Sequence, residues 1–198
     1  MTFQTFRSKA GLLIDSNILT LYIVGLYDVK RITEFKRTKG LYSPDDFYLL
    51  ENFIALFNNR LVTTPHILAE VSNLLEGTGY QYGPLLNSLI TYMDIVQEVY
   101  IPSKEVIREH PLLFTRFGLS DIIAGELVKQ NYLPLTDDLD FSAYLRNRGM
   151  PVINFNNLRF DFTVVNNHLL RRWLKYRAKP SYISETNGFC FDTLISYY

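Results

Sequence analysis

The chain has only one cysteine, Cys190, and only three histidines, His66, His110 and His168. A single cysteine excludes an internal disulfide and a thiolate cluster for zinc, and the histidines are too scattered to complete a zinc site. Such sparse cysteine usage is typical of a reducing compartment, so a cytoplasmic location is expected. Disulfide-rich secreted domains and structural zinc proteins are therefore excluded as classes.

The chain also lacks an excess of charge, because 20 Lys and Arg balance 20 Asp and Glu among its 198 residues. Any nucleic-acid contact must therefore come from a local patch. No apolar run approaches the roughly 18 residues of a membrane span, and the first one is too short for a signal peptide. What is abundant is apolar: 47% hydrophobic residues, with 14 Tyr and 14 Phe, indicate one globular domain with a well-filled core.

Short apolar runs alternate with helical patterns along most of the chain. Strands are predicted at residues 11–14, 94–102, 133–135 and 152–155, and helices at 18–27, 44–57 and 141–148, with two more beginning after Thr64 and Ser120 as N-caps. This alternation predicts an α/β domain built on a mostly parallel sheet.

Two segments do not fit the alternation. Residues 28–60 read as a polar, helical excursion from the core, with five basic residues between Lys30 and Lys39. After Leu158 the alternation stops, so we predict a domain over residues 1–158, with residues 28–60 as an insertion, and an extension over residues 159–198.

The extension contains a run of basic and aromatic residues, which includes Arg171, Arg172, Trp173, Lys175 and Arg177. This composition suits contacts with RNA phosphates and stacking on bases. It equally suits an amphipathic helix that packs its aromatic side chains on the core and leaves its basic face in water. Both interpretations stay open at the level of sequence.

Three carboxylates crowd the stretch LPLTDDLDF, from Leu133 to Phe141, directly after a predicted strand. Like charges this close repel one another, so solvent, a basic partner or a bound cation must compensate. Asp15 follows another predicted strand, and ligands of parallel α/β sheets bind beyond the carboxyl ends of the strands. Glu70 and Asp121 lie on helices that can direct them to the same edge.

Each acid also has a structural interpretation. Asp15 can cap the next helix, Asp121 can stabilise its helix dipole, Glu70 can reach into water, and the stretch from Asp137 to Asp140 can be a solvated loop. Taken together, four segments place acids where one sheet edge gathers them, and such a cluster needs a cation. Oxygen ligands suit Mg²⁺ or Mn²⁺, which activate water and stabilise the charge of a phosphodiester transition state.

Four short motifs occur in an order that resembles PIN domains, a ribonuclease superfamily that includes the toxin subunits of many bacterial toxin–antitoxin pairs. The motifs are Ile14–Asn17, Thr64–Val71, Leu119–Asp121 and Leu135–Phe141. The resemblance covers roughly residues 10–158. It implies a three-layer α/β/α sandwich and a metal-dependent endoribonuclease activity with Mg²⁺ or Mn²⁺.

The resemblance also implies roles for particular residues. Asp15, Glu70, Asp121 and Asp138 match the acidic metal ligands, and Asp140 matches a frequent fifth acid. Asn17, Ser120 and Thr136 match polar positions that support those carboxylates. Asp137 occupies a variable position of the motif, so its side chain is expected to face away from the site.

The leading hypothesis is therefore an endoribonuclease that hydrolyses RNA with a metal-activated water, as the toxin of a toxin–antitoxin pair. The resemblance also favours a homodimer and a protein antitoxin as partners. An RNA-processing or antiphage PIN nuclease without an antitoxin is the alternative within that class. A non-catalytic PIN-like scaffold for RNA or protein and a flap-type DNA nuclease are the alternatives outside it.

Overall fold

The computed structural model describes residues 8–76 and 82–165, with the side chains of Tyr82 and of residues 161–165 left aside. The elements in chain order are β1 (Leu12–Ile14), α1 (Ser16–Tyr27), a 3₁₀ helix (Val29–Thr33), α2 (Pro44–Leu56), β2 (Leu61–Thr63), α3 (Pro65–Leu75), α4 (Tyr82–Met93), β3 (Gln97–Glu98), α5 (Ser103–Glu109), α6 (Pro111–Phe117), α7 (Leu119–Lys129), β4 (Leu133–Thr136), α8 (Leu139–Asn147), β5 (Ile153–Asn154) and α9 (Phe155–Val165).

The five strands form one sheet in the order β3-β2-β1-β4-β5, and every neighbouring pair is parallel. Leu12 pairs with Leu61 on one side and with Leu133 on the other, so β1 is the central strand. Helices flank both faces of the sheet, as expected for strands that are apolar throughout. The predicted three-layer α/β/α sandwich is confirmed.

The helices divide into two groups by their contacts. Helix α1 packs against α2, α3 and α4, whereas α7 packs against α5, α6 and β4. Almost every residue of β1, β2 and β4 is buried, and so are the apolar residues of α1 from Ile18 to Val24. Within the described residues, no helix is both long and apolar enough to cross a membrane.

The segment 28–60 is less polar than its charge pattern predicts, because its aromatic and aliphatic side chains join the core. Phe47 is buried and stacks on Tyr22 of α1 with ring centroids 6.0 Å apart. Gly25 makes this contact possible, since a Cβ at that position would lie 2.1 Å from the Phe47 ring. Expectation and structure differ because the basic residues mark only the exposed side of the segment.

Some predicted boundaries are wrong by a few residues. The strand expected over residues 94–102 is only Gln97–Glu98, an exposed edge strand that pairs with β2 alone. The strand expected over 152–155 ends at Asn154, because the Asn154 side chain accepts a hydrogen bond from the Asn156 amide and the helix begins there. That helix, α9, continues across Leu158, and most of the predicted extension, residues 166–198, lies outside the described residues.

Two N-cap predictions have different outcomes. Thr64 caps α3, with its hydroxyl accepting from the Ile67 amide at 3.3 Å and Pro65 at the first helical position. Ser120 does not cap α7, because the helix already begins at Leu119 after Gly118, whose φ of 88° ends the preceding helix. Ser120 therefore lies inside the first turn, where its hydroxyl is free to reach another element.

Candidate functional site

The carboxyl ends of β1 and β4 lie side by side and bring Asp15 next to the acids of the stretch 137–138. The register pairs Ile14 with Leu135, and the Asp15 amide continues the ladder with a 2.9 Å hydrogen bond to the Leu135 carbonyl. Because the two strands are parallel, the residues that follow them leave the sheet at the same edge. The predicted gathering of acids at one edge begins here.

Asp15 is held by groups on both strands. Its Oδ1 accepts from the Ser16 amide at 2.6 Å, and its Oδ2 accepts from the Thr136 hydroxyl at 2.8 Å. The Thr136 hydroxyl in turn accepts from the Asp138 amide at 3.0 Å. Thr136 therefore links two of the predicted ligands, which is compatible with the supporting position that the resemblance implied for it.

Burial raises the pKa of Asp15 to about 6, with further contributions from the charges of Asp137 and Glu70, although the Thr136 hydrogen bond opposes the shift. The Ser16 hydrogen bonds place Asp15 at the start of α1, so the capping interpretation also holds. A carboxylate that caps a helix is ordinarily easy to ionise. Here desolvation is the larger effect, and it indicates a site whose negative charge is poorly compensated.

Asp121 is the most perturbed acid of the group. Burial raises the pKa of Asp121 to about 8, and the charges of Asp15, Asp138, Glu70 and Asp137 add to the shift. These electrostatic contributions show that all five carboxylates converge on one region. Among the described residues, the Asp121 carboxylate has no hydrogen-bond partner, so nothing there offsets the cost of its charge.

Glu70 is exposed at the rim, and it connects the two helices that carry acids. The Ser120 hydroxyl donates to Glu70 Oε2 at 2.8 Å, joining α7 to α3. Ser120 thus supports a carboxylate, as the resemblance implied, although it does not cap its helix. The border position of Glu70 on its helix, visible in the sequence, corresponds to this placement at the edge of the site.

Asp138 both caps a helix and belongs to the acid cluster. Its Oδ1 accepts from the Phe141 amide at 2.8 Å, which makes Asp138 the N-cap of α8 and explains why that helix begins earlier than expected. Its backbone carbonyl accepts from Asn154 at 3.2 Å. The charge of the Asp138 carboxylate contributes to the raised pKa of Asp121.

Asp137 was expected to face away from the site, and the structure corrects this. Its Oδ2 accepts from the Tyr42 hydroxyl, its Oδ1 accepts from Asn17 at 3.4 Å, and its carbonyl accepts from Asn156 at 2.8 Å. The charge of Asp137 also raises the pKa of both Asp15 and Asp121. The buried Tyr42, on the segment 28–60, holds this carboxylate close enough to the cluster for its charge to act on Asp15 and Asp121.

Tyr42 and Arg159 are site-supporting residues that the sequence pattern missed. Burial and the neighbouring Asp137 raise the pKa of the Tyr42 hydroxyl, which therefore stays protonated and donates. Arg159 stands on α9 and donates to Asp46 at 2.8 Å and to the Leu41 carbonyl at 2.9 Å, so it fixes the loop that carries Tyr42. No local motif marks this contact, because 95 residues separate Tyr42 from Asp137.

Asp140, the predicted fifth acid, takes a different position. It is exposed in the first turn of α8 and lines a cavity with Arg116 and Arg148 between α6 and α8. It is not among the acids whose charges raise the pKa of Asp15 or Asp121. The basic run from Arg171 to Arg177 lies outside the described residues.

The donor chemistry of the cluster suits a hard divalent cation, because all of its charged donors are carboxylate oxygens. Two of the carboxyl groups, those of Asp15 and Asp121, have raised pKa values. In the part of the chain that the structure describes, however, no three such side chains stand close enough to form a ready metal cage. Three of the oxygens are engaged by Ser16, Thr136 and Phe141 instead. The carboxylates therefore converge without enclosing an ion.

Comparison of the chain with protein-family models, curated proteins and solved structures finds no match. The membership of the PIN superfamily that the motifs suggest consequently stays a prediction.

Proposed function

We propose that this protein is a PIN-like, Mg²⁺- or Mn²⁺-dependent endoribonuclease. The observation that carries the proposal is the gathering of acids from four segments at the carboxyl edge of a parallel sheet, where Thr136 links Asp15 to the Asp138 backbone and Ser120 links Glu70 to the helix of Asp121. The raised pKa of Asp121, a carboxylate without a hydrogen-bond partner in the described structure, supports it. A structural acid at a helix N-terminus ordinarily has its charge compensated. An acid held in this environment is typical of a functional site.

In this proposal Asp15, Glu70, Asp121 and Asp138 would hold the ion. When bound, the ion supplies an activated water and stabilises negative charge on the phosphodiester. The side chains of the protein perform the positioning: Thr136 orients Asp15, Ser120 orients Glu70, and Tyr42 orients Asp137. No side-chain nucleophile is required.

The experiment compares wild type with Asp138→Asn on total RNA and on a single-stranded DNA, each in Mn²⁺, in Mg²⁺ and in EDTA. Asp94→Asn is the matched control, since Asp94 is an exposed acid on the loop before β3. We expect RNA cleavage that needs the metal, survives in the control and is lost in Asp138→Asn. Wild type that neither cleaves RNA nor binds Mn²⁺ by calorimetry would refute the proposal and favour a non-catalytic scaffold.

The toxin assignment within this class is also a proposal, together with a cytoplasmic location, a homodimer and an antitoxin that offers a basic side chain to the acids. It predicts growth arrest on expression of the wild type and none with Asp15→Asn at equal protein level. Normal growth with an active enzyme would favour an RNA-processing or antiphage nuclease instead.

A further inference from the structure

Helix α6 is an exposed apolar helix beside the acid cluster. Five of its seven residues are apolar, yet none is buried, and Leu112 is 84% exposed. Leu113 and Phe117 pack partly against the core, which leaves Leu112 and Phe114 as the exposed apolar side chains of the helix. Exposed apolar side chains grouped on one short helix can mark a binding surface. The neighbours of the helix indicate which kind of molecule binds there.

A groove of two adjoining cavities lies between α6, α7 and α8, and Asp121 of the acid cluster lines one of them. Its inner part is a cavity of about 110 Å³ whose lining includes Asp121 and the rings of Phe117 and Tyr144. Its outer part, of about 390 Å³, shares Leu113, Tyr144 and Arg148 with the inner one. A molecule lying in the groove would therefore extend from the surface of the protein to Asp121.

The walls of the groove combine aromatic rings with guanidinium groups. The Arg116 guanidinium lies 4.6 Å from the centroid of Phe117, and that of Arg148 lies 4.7 Å from the centroid of Tyr144. The ring centroids of Phe117 and Tyr144 are 5.2 Å apart. Both arginines are exposed, and neither forms an ion pair with any described residue.

The charges favour a polyanion over other occupants. In the outer cavity, Arg116 and Arg148 face one carboxylate, that of Asp140. In the inner cavity, Glu126 is already paired with His110 at 2.9 Å and with Lys129 at 2.7 Å. A second copy of this chain docked on this surface by two-fold symmetry would bring four guanidiniums together with only two Asp140 carboxylates.

We infer that the groove between α6 and α8 binds single-stranded RNA next to the scissile position. The outer faces of the Arg116 and Arg148 planes offer surfaces for stacked bases, and their N–H edges donate to phosphates. The exposed apolar side chains of α6 contact further bases, since base stacking on such surfaces is tolerant of sequence. This inference rests on the proposed function and adds to it the path of the substrate.

The test measures RNA binding without cleavage. Full-length protein carrying Asp15→Asn is titrated in EDTA against a fluorescently labelled single-stranded RNA of mixed sequence, and anisotropy gives the Kd at several salt concentrations. The groove variants are Arg148→Gln and Tyr144→Leu. The matched control is Arg146→Gln, which makes the same charge change on the same helix at a residue that lines neither cavity.

We expect Arg148→Gln to weaken RNA binding about 3- to 10-fold and to reduce the salt dependence by about one phosphate contact. Tyr144→Leu weakens binding several-fold with little change in salt dependence, whereas Arg146→Gln changes the Kd less than about 2-fold. Circular dichroism melting curves check that each variant is folded. The inference is overturned if both groove variants bind RNA like the control.

One further outcome also overturns it. A wild type that sediments as a dimer and becomes monomeric with Leu112→Asp would make α6 an interface between copies. Because binding is measured without metal, a protein that binds RNA through the groove but never cleaves it would refute only the proposed function.

Discussion

The two sides of the acid cluster are built differently. The strand-end acids, Asp15, Asp137 and Asp138, accept at least one hydrogen bond each from a fixed neighbour. The helix acids are less supported: Glu70 has the Ser120 hydroxyl, and Asp121 has no partner among the described residues. The strand side is therefore preorganised, whereas the helix side carries charge that the described hydrogen bonds do not stabilise.

Among variants that separate the two sides, Asp121→Asn is expected to have the largest effect. It removes the least compensated charge, so we expect RNA cleavage to fall at least about 100-fold, beyond the usual effect of losing a residue that only supports a ligand. We also expect the midpoint of urea unfolding at pH 8 to rise, because a costly charge is gone. A variant that loses both activity and stability would show that the charge of Asp121 is structurally useful.

On the strand side, Tyr42→Phe tests whether preorganisation matters. The variant keeps the buried ring but leaves Asp137 without its hydroxyl donor. We expect about a 10-fold weaker Mn²⁺ affinity by calorimetry, with a parallel loss of cleavage at low Mn²⁺. Tyr48→Phe is the control, because Tyr48 lies on the same segment with an exposed ring. Equal behaviour of the two variants would remove Tyr42 from the site.

The pH dependence of stability compares the two sides directly. A folded-state pKa raised above the unfolded value means that the folded protein binds more protons, so without metal stability falls as pH rises from about 4. For Asp15 the fall is complete near pH 6, and for Asp121 it continues to about pH 8. We expect a loss on the order of 1 kcal/mol between pH 6 and 8, since one pKa unit corresponds to about 1.4 kcal/mol before screening by solvent.

Urea unfolding in EDTA at pH 5, 6, 7 and 8 measures this loss. In Asp121→Asn the part between pH 6 and 8 should disappear, and in wild type added Mn²⁺ should restore stability at pH 8. A wild-type curve that is flat above pH 6 would contradict the assigned pKa of Asp121.

The smallest effect is expected from Ser120→Ala. Its hydroxyl supports Glu70 at the exposed rim, where water replaces a lost donor. Cleavage should fall only about 2- to 5-fold, with little change in thermal stability. A loss of cleavage as large as that of Asp121→Asn would mean that the helix side is as preorganised as the strand side. The two sides of the acid cluster would then not differ in the way described.

Sequence patterns predicted the local features well. The apolar runs around Leu12 and Leu133 gave the central strands, and the Thr64-Pro65 pair gave the start of α3, because strand burial and helix capping depend on neighbouring residues. The juxtaposition of Asp15 and Asp138 followed from one rule about the edges of parallel sheets, which needs only the order of the strands. Strand burial and helix capping require no knowledge of distant contacts.

The features that escaped prediction depend on contacts between distant segments. The orientation of Asp137 is set by Tyr42, whose loop is fixed by Arg159 on α9, and no periodicity links these three residues. Gly118, rather than Ser120, is the residue before the first turn of α7, and its positive φ is not visible in the local sequence pattern. The segment 28–60 was expected to be polar because its charged residues are visible in the sequence and its docking surface is not.

The contact between Gly25 and Phe47 has a practical consequence for anyone trimming this protein. A shortened version that joins the end of α1 directly to β2 would remove the ring that fills the hollow above Gly25, and would expose the apolar surface of α1. It would also remove Tyr42, so such a truncation would alter the acid cluster as well as the core. The shortest functional version of this protein must therefore keep residues 28–60, although the sequence pattern presents them as an insertion.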